Sequence, residues 1–192
     1  MLVSILIGGC ETLLGDSPPA DYSWFTLREP TGFGSSIQLE QRFQYQDKKS
    51  QVELTLVQSI DSKRYVMVGF GAVGGALFSA QWTGTGVNET RSPLIPDTLT
   101  AQNLLVEMQL ALWSIIEVRK AIVDPNISVI EEGLERTLYY RDKPMIRITY
   151  SLLPPHRGTV EFVNLDTGSG WHLETLSYQP LTANRLLVRI YA

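Results

Sequence analysis

Apolar and polar residues alternate along most of the chain after residue 36, the pattern of strands with one buried face. In the first such segment, Ile37, Leu39, Phe43 and Tyr45 alternate with polar neighbours. Further segments with this period, or short apolar runs, cover 52–60, 66–70, 77–82, 146–152, 160–162, 171–175 and 186–191. Most connections are short and rich in Gly, Asp, Asn or Lys, as hairpins require. The pattern predicts a mainly β fold, an antiparallel meander of about ten strands.

The segment 98–122 breaks the two-residue period and has helical spacing instead. Its apolar stripe consists of Leu104, Leu105, Met108, Ala111, Leu112, Ile115 and Ile116. Such a stripe is typical of a helix with one buried face. Asp97 or Thr98 can cap the start of the helix, and the pair at 124–125, Asp and Pro, can end it. The spacing therefore predicts one principal helix over 98–122.

The opposite side of this helix carries both polar and large apolar residues. Its polar stripe holds Asn103, Glu107, Ser114 and Glu117. Val106, Leu110 and Trp113 lie on or beside this stripe, and an open surface rarely exposes such side chains together. We therefore expect the helix to be contacted from more than one side, as it would be across the concave face of a curled sheet.

These elements predict a single domain over residues 31–192, an antiparallel, incompletely closed β-barrel with the helix covering its concave face. A sheet of this size encloses either packed side chains or one small-ligand cavity. The inward positions are aliphatic and aromatic, which suits acyl chains or a polyene better than a phosphate or a sugar. The candidate cavity residues are Phe70, Phe78, Trp82, Leu105, Met108, Leu112, Ile115, Ile148, Tyr150 and Phe162.

The amino-terminal segment predicts a lipid anchor. Residues 2–7 are almost wholly apolar, two glycines follow, and Cys10 is the only cysteine of the chain. Residues 6–10 resemble the bacterial lipobox, which implies that Cys10 carries lipid; Glu11 behind it implies the outer membrane. No basic residue precedes Cys10, so we interpret 1–9 as a signal-peptide remnant and 10–30 as a lipidated tether. The alternative is a first strand that ends in a buried cysteine.

Composition narrows the possible functions. The 192 residues carry a formal net charge of −4 and two histidines. An acidic chain lacks the basic stripe of a nucleic-acid groove, and one cysteine excludes an internal disulfide framework or a Cys-based zinc cluster. We expect no metal, no cofactor and no enzymatic activity.

The remaining motifs favour structural roles. Residues 69–74 match G-x-G-x-x-G, but no helix is predicted after them, so we interpret them as a hairpin tip whose Val73 could touch a membrane or a partner. His156 is expected in an exposed loop, and His172 as a half-buried strand residue. Arg136 and its acidic neighbours are expected to form a solvated face; these neighbours are Glu131, Glu132 and Glu135.

Three stretches carry a family resemblance. Residues 105–113, LVEMQLALW, resemble the helix signature of a family of bacterial outer-membrane lipoproteins that is encoded beside aryl-polyene and fatty-acid-like biosynthetic genes. Residues 158–166 and 171–176 are similar to the strand pattern of LolA/LolB-type lipoprotein carriers. The resemblance extends from Cys10 to about Tyr178. It implies an unclosed barrel with a helical lid, anchored to the outer membrane and facing the periplasm.

Two functions remain open from the sequence. The first is a carrier that accepts a lipid-like, acyl or polyene molecule, delivered by a periplasmic carrier or exporter protein, and releases it at the outer membrane. The second is a tethered scaffold that docks a transporter or a biosynthetic partner through a sheet edge or the apolar tip. A hydrolase is disfavoured because no G-x-S-x-G elbow occurs.

Overall fold

The computed structural model describes residues 21–181. The strands are β1 (Ile37–Gln46), β2 (Gln51–Ile60), β3 (Tyr65–Phe70), β4 (Ala76–Trp82), β5 (Val87–Arg91), β6 (Ile127–Glu132), β7 (Glu135–Tyr140), β8 (Lys143–Tyr150), β9 (Thr159–Asn164) and β10 (Gly170–Pro180). The helices are α1 (Ala101–Leu112) and α2 (Ile115–Ala121), and two short 3-10 turns cover Pro30–Phe33 and Pro155–Arg157.

All ten strands of the described region form one antiparallel sheet, in the order β5-β4-β3-β2-β1-β10-β9-β8-β7-β6. The pairing of β1 with β10 joins two meanders, with Gln46 opposite Gly170 and Ile37 opposite Pro180. The outer strands β5 and β6 do not pair with each other, so the sheet is incompletely closed. The predicted mainly β, antiparallel fold is confirmed.

The two helices connect β5 to β6 across the concave face, where α1 contacts β4, β5 and β9. The strand pattern explains this face: in β1, Ile37, Leu39, Phe43 and Tyr45 are all buried, and the neighbouring strands alternate in the same way. Val106 and Leu110, on the other side of α1, are fully buried too. The prediction that the helix is contacted from more than one side is confirmed.

The single helix predicted over 98–122 is wrong, because the chain forms two helices. Thr100 caps α1 by accepting a hydrogen bond from the Asn103 amide at 3.2 Å, so neither Asp97 nor Thr98 is the cap. Trp113 then adopts an extended backbone, and Ser114 caps α2. The break separates the two parts of the predicted stripe.

Arg136 explains why α1 ends where it does. Its guanidinium donates to the carbonyl oxygens of Leu110 and Trp113, the latter at 3.0 Å, and it also pairs with Glu131. Tyr150 donates to the Ala111 carbonyl at 3.0 Å. The last carbonyls of a helix lack partners within it, and a cation there also complements the helix dipole. Arg136 is only 2% exposed, so the expected solvated face is wrong for Arg136 and its half-buried partner Glu131, whereas Glu132 and Glu135 are exposed as expected.

The segment before β1 packs against the helices. Trp24 and Phe25 are buried in the core, and Phe25 forms a β-bridge with Ile122. The side chain of Gln109 bonds both backbone groups of Arg28, accepting from its N–H at 2.7 Å and donating to its carbonyl at 2.9 Å. The domain boundary predicted at residue 31 thus lies within a packed segment.

Several predictions fall outside the described residues. They are the signal-peptide remnant over 1–9, the lipid anchor at Cys10, residues 10–20 of the tether predicted over 10–30, and the strand over 186–191. Between residues 21 and 181, no helix combines the length and the apolarity needed to cross a bilayer.

Candidate functional site

A cavity of about 480 Å³ opens at the end of the sheet where β1 ends and β10 begins. We call it the end cavity. Its walls come from the β1–β2 turn, the β9–β10 turn, the start of β8, the cavity-facing side of α1 and the segment 21–24. The β3–β4 turn lies at the same end of the sheet, because neighbouring antiparallel strands turn at alternate ends.

One wall of the end cavity is apolar. It consists of Trp24, Leu99, Met145, Ile146 and Phe162, all of them buried core residues. Phe162 stacks on Trp171 with ring centroids 5.1 Å apart and planes inclined by 11°. This packing fixes the ring that faces the cavity, so the wall is largely preformed.

The polar part of the lining includes two residues of α1. Asn103 and Glu107 are four residues apart, so they lie one above the other on the same side of the helix. The Glu107 carboxyl accepts a hydrogen bond from the Tyr22 hydroxyl at 2.6 Å and another from the Trp171 indole N–H at 2.8 Å. Burial raises the pKa of Glu107 to about 7, although both hydrogen bonds act in the opposite direction.

The mouth carries charged side chains from the two turns and from the start of the described chain. Lys48 and Lys49 lie there with Asp47, Asp21 and Asp166. The Asp47 carboxylate already accepts hydrogen bonds from the backbone amides of Lys49 and Ser50, both at 2.7 Å. These backbone hydrogen bonds, together with one from the Thr98 hydroxyl, hold the pKa of Asp47 below its ordinary value.

Of the ten predicted cavity residues, the end cavity brings in Phe162 alone. The other nine lie elsewhere in the structure. Buried in the core are Phe78, Leu105, Met108, Leu112, Ile148 and Tyr150. Half-buried are Phe70, Trp82 and Ile115. The buried side chains of this set pack against one another in the core. The role of all nine as ligand contacts stays a prediction.

Val73 occupies the tip of the β3–β4 hairpin and is 98% exposed. Residues 71–75 form the turn itself, and a strand follows, so the interpretation of the glycine-rich motif as a hairpin tip is confirmed. Contact of Val73 with a membrane or a partner stays a prediction.

Sequence reasoning placed Asn103 and Glu107 on a polar stripe but did not assign them to a site. It missed Tyr22, Trp24 and Leu99 altogether. The available signal was the coincidence of that stripe with Val106 and Leu110, which predicted a helix covered on both sides. A carboxylate on the covered side of a helix is at least partly removed from water, which is rare for Glu. The pattern could therefore have singled out Glu107.

The structure also places Ser169 and the two histidines of the chain. Ser169, which lines the cavity, has its hydroxyl within hydrogen-bond distance of the Thr167 hydroxyl, at 2.6 Å. His156 lies in the 3-10 turn Pro155–Arg157, half-buried beside Phe33 and Tyr178, rather than in an exposed loop as predicted. His172 is half-buried in β10, as predicted. Within 21–181, no group of three His, Cys, Asp or Glu residues could hold a metal ion.

The fold and the cavity define an open antiparallel sheet, wrapped around a helix, with a small-molecule-sized cavity at one end. The model of the family DUF3261, described as a protein of unknown function, matches residues 38–177, and the chain belongs to this family. No curated protein sequence matches the chain.

Two solved structures are similar in outline. A domain described as an outer membrane lipoprotein-sorting protein, from Vibrio parahaemolyticus, is 8% identical, with a TM-score of 0.40 over 78% of this chain and 86% of that one. A DUF1329 family protein from Desulfovibrio piger is 7% identical, with a TM-score of 0.39 over 82% of this chain and 95% of that one. At these identities and scores, neither likeness bears on function.

Proposed function

We propose that the end cavity binds the apolar part of a small amphipathic, lipid-like molecule and that the protein acts as its carrier or acceptor. One observation carries the proposal. The cavity, of about 480 Å³, is lined both by apolar residues around Phe162 and by polar residues that include Glu107. Its volume lies within the roughly 300–1,000 Å³ of small-molecule sites.

Partition of an alkyl chain into this cavity supplies the driving force. Each buried methylene contributes about 0.8 kcal/mol, so a chain of about ten gains roughly 8 kcal/mol before the cost of immobilising it. The wall residues Leu99, Met145 and Ile146 offer aliphatic surface for such a chain. The sheet-facing residues of α1 are buried against the core, so binding beneath α1 would require the helix to move, whereas the end cavity is already open.

A lipid anchor on Cys10 would tether the protein through the segment that leads to the end cavity. Asp21 lines the cavity, and Cys10 lies eleven residues before it. An extended chain spans at most about 3.6 Å per residue, so eleven residues reach at most roughly 40 Å. A lipid on Cys10 would hold the mouth and the Val73 hairpin near the bilayer.

The finer parts of the proposal rest on the sequence resemblances of residues 6–10 and 105–113. They are a location on the periplasmic face of the outer membrane, an acyl or polyene cargo, and a periplasmic carrier or exporter protein that delivers it. The aryl-polyene association belongs to this part of the proposal.

A second function is a tethered scaffold, and it is favoured by Val73. A large apolar side chain that is 98% exposed at a hairpin tip could dock a protein partner. The scaffold and the carrier differ in one measurable property, since only the carrier needs the end cavity to be accessible.

We expect Asn103→Trp to abolish binding of decanol, measured by isothermal titration calorimetry. Asn103 is half-buried and lines the cavity, so an indole there would occupy part of the cavity volume. The matched control is Gln102→Trp, one residue earlier, whose side chain is exposed. Binding that survives Asn103→Trp, or is lost equally in Gln102→Trp, would contradict the assignment of the cavity.

We expect Cys10→Ala to release the protein from membranes into the soluble periplasmic fraction, because the thiol is the atom that carries the lipid. The measurement is fractionation followed by immunoblotting, with Val73→Asp as a comparison that retains the cysteine. If the Cys10→Ala protein still sediments with membranes, the anchor must lie elsewhere.

A further inference from the structure

We infer that the end cavity selects amphiphiles with a hydrogen-bond-donating cationic head, an alkylammonium group, and that Glu107 is the group that receives this head. The inference rests on the proposed function of the same cavity. It names the class of ligand and the residue that determines specificity.

The geometry leaves the Glu107 carboxyl able to accept more than it does. Tyr22 donates to one oxygen and Trp171 to the other. An ionised carboxylate has about four lone-pair sites on its two oxygens, so about one remains on each. Glu107 lines the cavity, and the two donors come from the segment 21–24 and from β10, so the carboxyl is fixed from both sides. This is a preorganised acceptor.

Glu107 has no cationic partner among the described ion pairs. The titratable groups that face it are the hydroxyls of Tyr22 and, farther away, Tyr45. Both are neutral at ordinary pH, and Trp171 is neutral too. Glu107 is half-buried, and a carboxylate partly removed from water without a counter-charge is costly. A cation within hydrogen-bond distance relieves that cost. The ammonium head of a ligand would supply the positive charge that Glu107 lacks among its described partners.

The mouth does not reverse this preference. Its carboxylates are Asp21, Asp47 and Asp166, against the ammonium groups of Lys48 and Lys49. With Glu107 ionised, negative groups outnumber positive ones along the path of the ligand. An anionic head, such as a carboxylate, would be repelled by the ionised Glu107 carboxylate. It would bind only when one of the two carboxyl groups is protonated and they share that proton in a hydrogen bond.

The raised pKa of Glu107, about 7, links this selection to pH. An ammonium ligand favours the ionised carboxyl, so binding releases a proton when the free protein holds one. Alkylamines stay protonated well above pH 8, as lysine does. Affinity for an alkylammonium ligand should therefore rise from pH 6 to pH 8.5, and affinity for an alkyl carboxylate should fall.

The test uses four probes with the same decyl chain, each below its critical micelle concentration, titrated into the full-length protein. Decylammonium has charge and donors, decyltrimethylammonium has charge alone, decanol has a donor without charge, and decanoate has the opposite charge. At pH 8.5 we expect decylammonium to bind about tenfold more tightly than decanol, and decanoate to bind most weakly. From pH 6 to pH 8.5 the decylammonium affinity should rise about tenfold.

Glu107→Gln should weaken decylammonium binding about tenfold at pH 8.5 and change decanol affinity by less than about threefold, because an amide keeps the shape of the carboxylate but not its charge. If that variant does not fold, the pH comparison in the unmodified chain decides instead. Tyr22→Phe removes a donor but keeps the carboxylate, so its decylammonium preference should persist.

The outcomes separate the two proposals. If decanol binds and Asn103→Trp blocks it, but decanoate equals or exceeds decylammonium at pH 8.5, the inference is overturned and the proposed function stands. Equal loss of all four probes in folded Glu107→Gln also overturns the inference. If none of the probes binds the unmodified protein, the proposed function fails and the inference fails with it.

Discussion

Replacing Arg136 by methionine should lower the free energy of unfolding by roughly 3–5 kcal/mol, the range for breaking a buried, hydrogen-bonded charge. The guanidinium joins β7 to the end of α1, where it bonds the Leu110 and Trp113 carbonyls and pairs with Glu131. Methionine keeps the apolar stem but leaves these acceptors without a donor. The measurement is urea unfolding followed by fluorescence.

Arg119→Met provides the matched control, since Arg119 is exposed and its hydrogen bond within residues 21–181 goes to the Val129 carbonyl, at 3.3 Å. Its loss should cost about 1 kcal/mol or less. Glu131→Gln should also cost less than Arg136→Met, because Arg136 keeps its two carbonyl partners. Equal costs for Arg136→Met and Arg119→Met would show that the guanidinium does not hold the end of α1.

The second large effect is a fall in stability as pH rises from about 4.5 to about 7. The pKa of Glu107 is about 7 in the folded protein and about 4.5 when exposed. Between these values the folded state holds a proton that the unfolded state has lost, so the free energy of unfolding decreases with rising pH. The full difference corresponds to roughly 3 kcal/mol at 1.36 kcal/mol per pKa unit. Since Glu107 is half-buried, solvent screening makes about 1–3 kcal/mol the expected range.

Glu107→Gln isolates this contribution, since its amide does not ionise. We expect the variant to be more stable than the unmodified chain at pH 8.5 and about equal to it at pH 5, as measured by urea unfolding at both values. His156 has a lowered pKa from burial and destabilises the fold only as pH falls, so it acts in the other direction. Parallel pH profiles for the two proteins would contradict the burial of the Glu107 charge.

Much of the architecture is readable from periodicity. The alternation in β1 and the helical spacing around Met108 predict an antiparallel sheet with a helix on its concave face, because each fixes which side chains point inward. Periodicity does not say how full the concavity is. Phe78, Leu105 and Met108 point inward as predicted, but they fill the space beneath α1, and the open volume lies at the end of the sheet.

The contacts that escaped prediction join residues far apart in sequence. Trp24 and Phe25 follow a segment rich in Pro, Ser and Asp, yet they pack against helices some eighty or more residues later, where Gln109 bonds the Arg28 backbone. The helix break at Trp113 has no Gly or Pro beside it. Arg136, whose guanidinium bonds the carbonyls at this break, lies far along the chain on β7. Local propensity carries no information about such partners.

Photolabelling with a decyl probe that carries a diazirine at its chain end tests whether the end cavity binds alkyl chains. We expect adducts on peptides that contain Trp24, Leu99, Met145 or Phe162, located by mass spectrometry and suppressed by excess decanol. Adducts confined to the Val73 hairpin or to the outer face of the sheet, unaffected by decanol, would contradict this expectation.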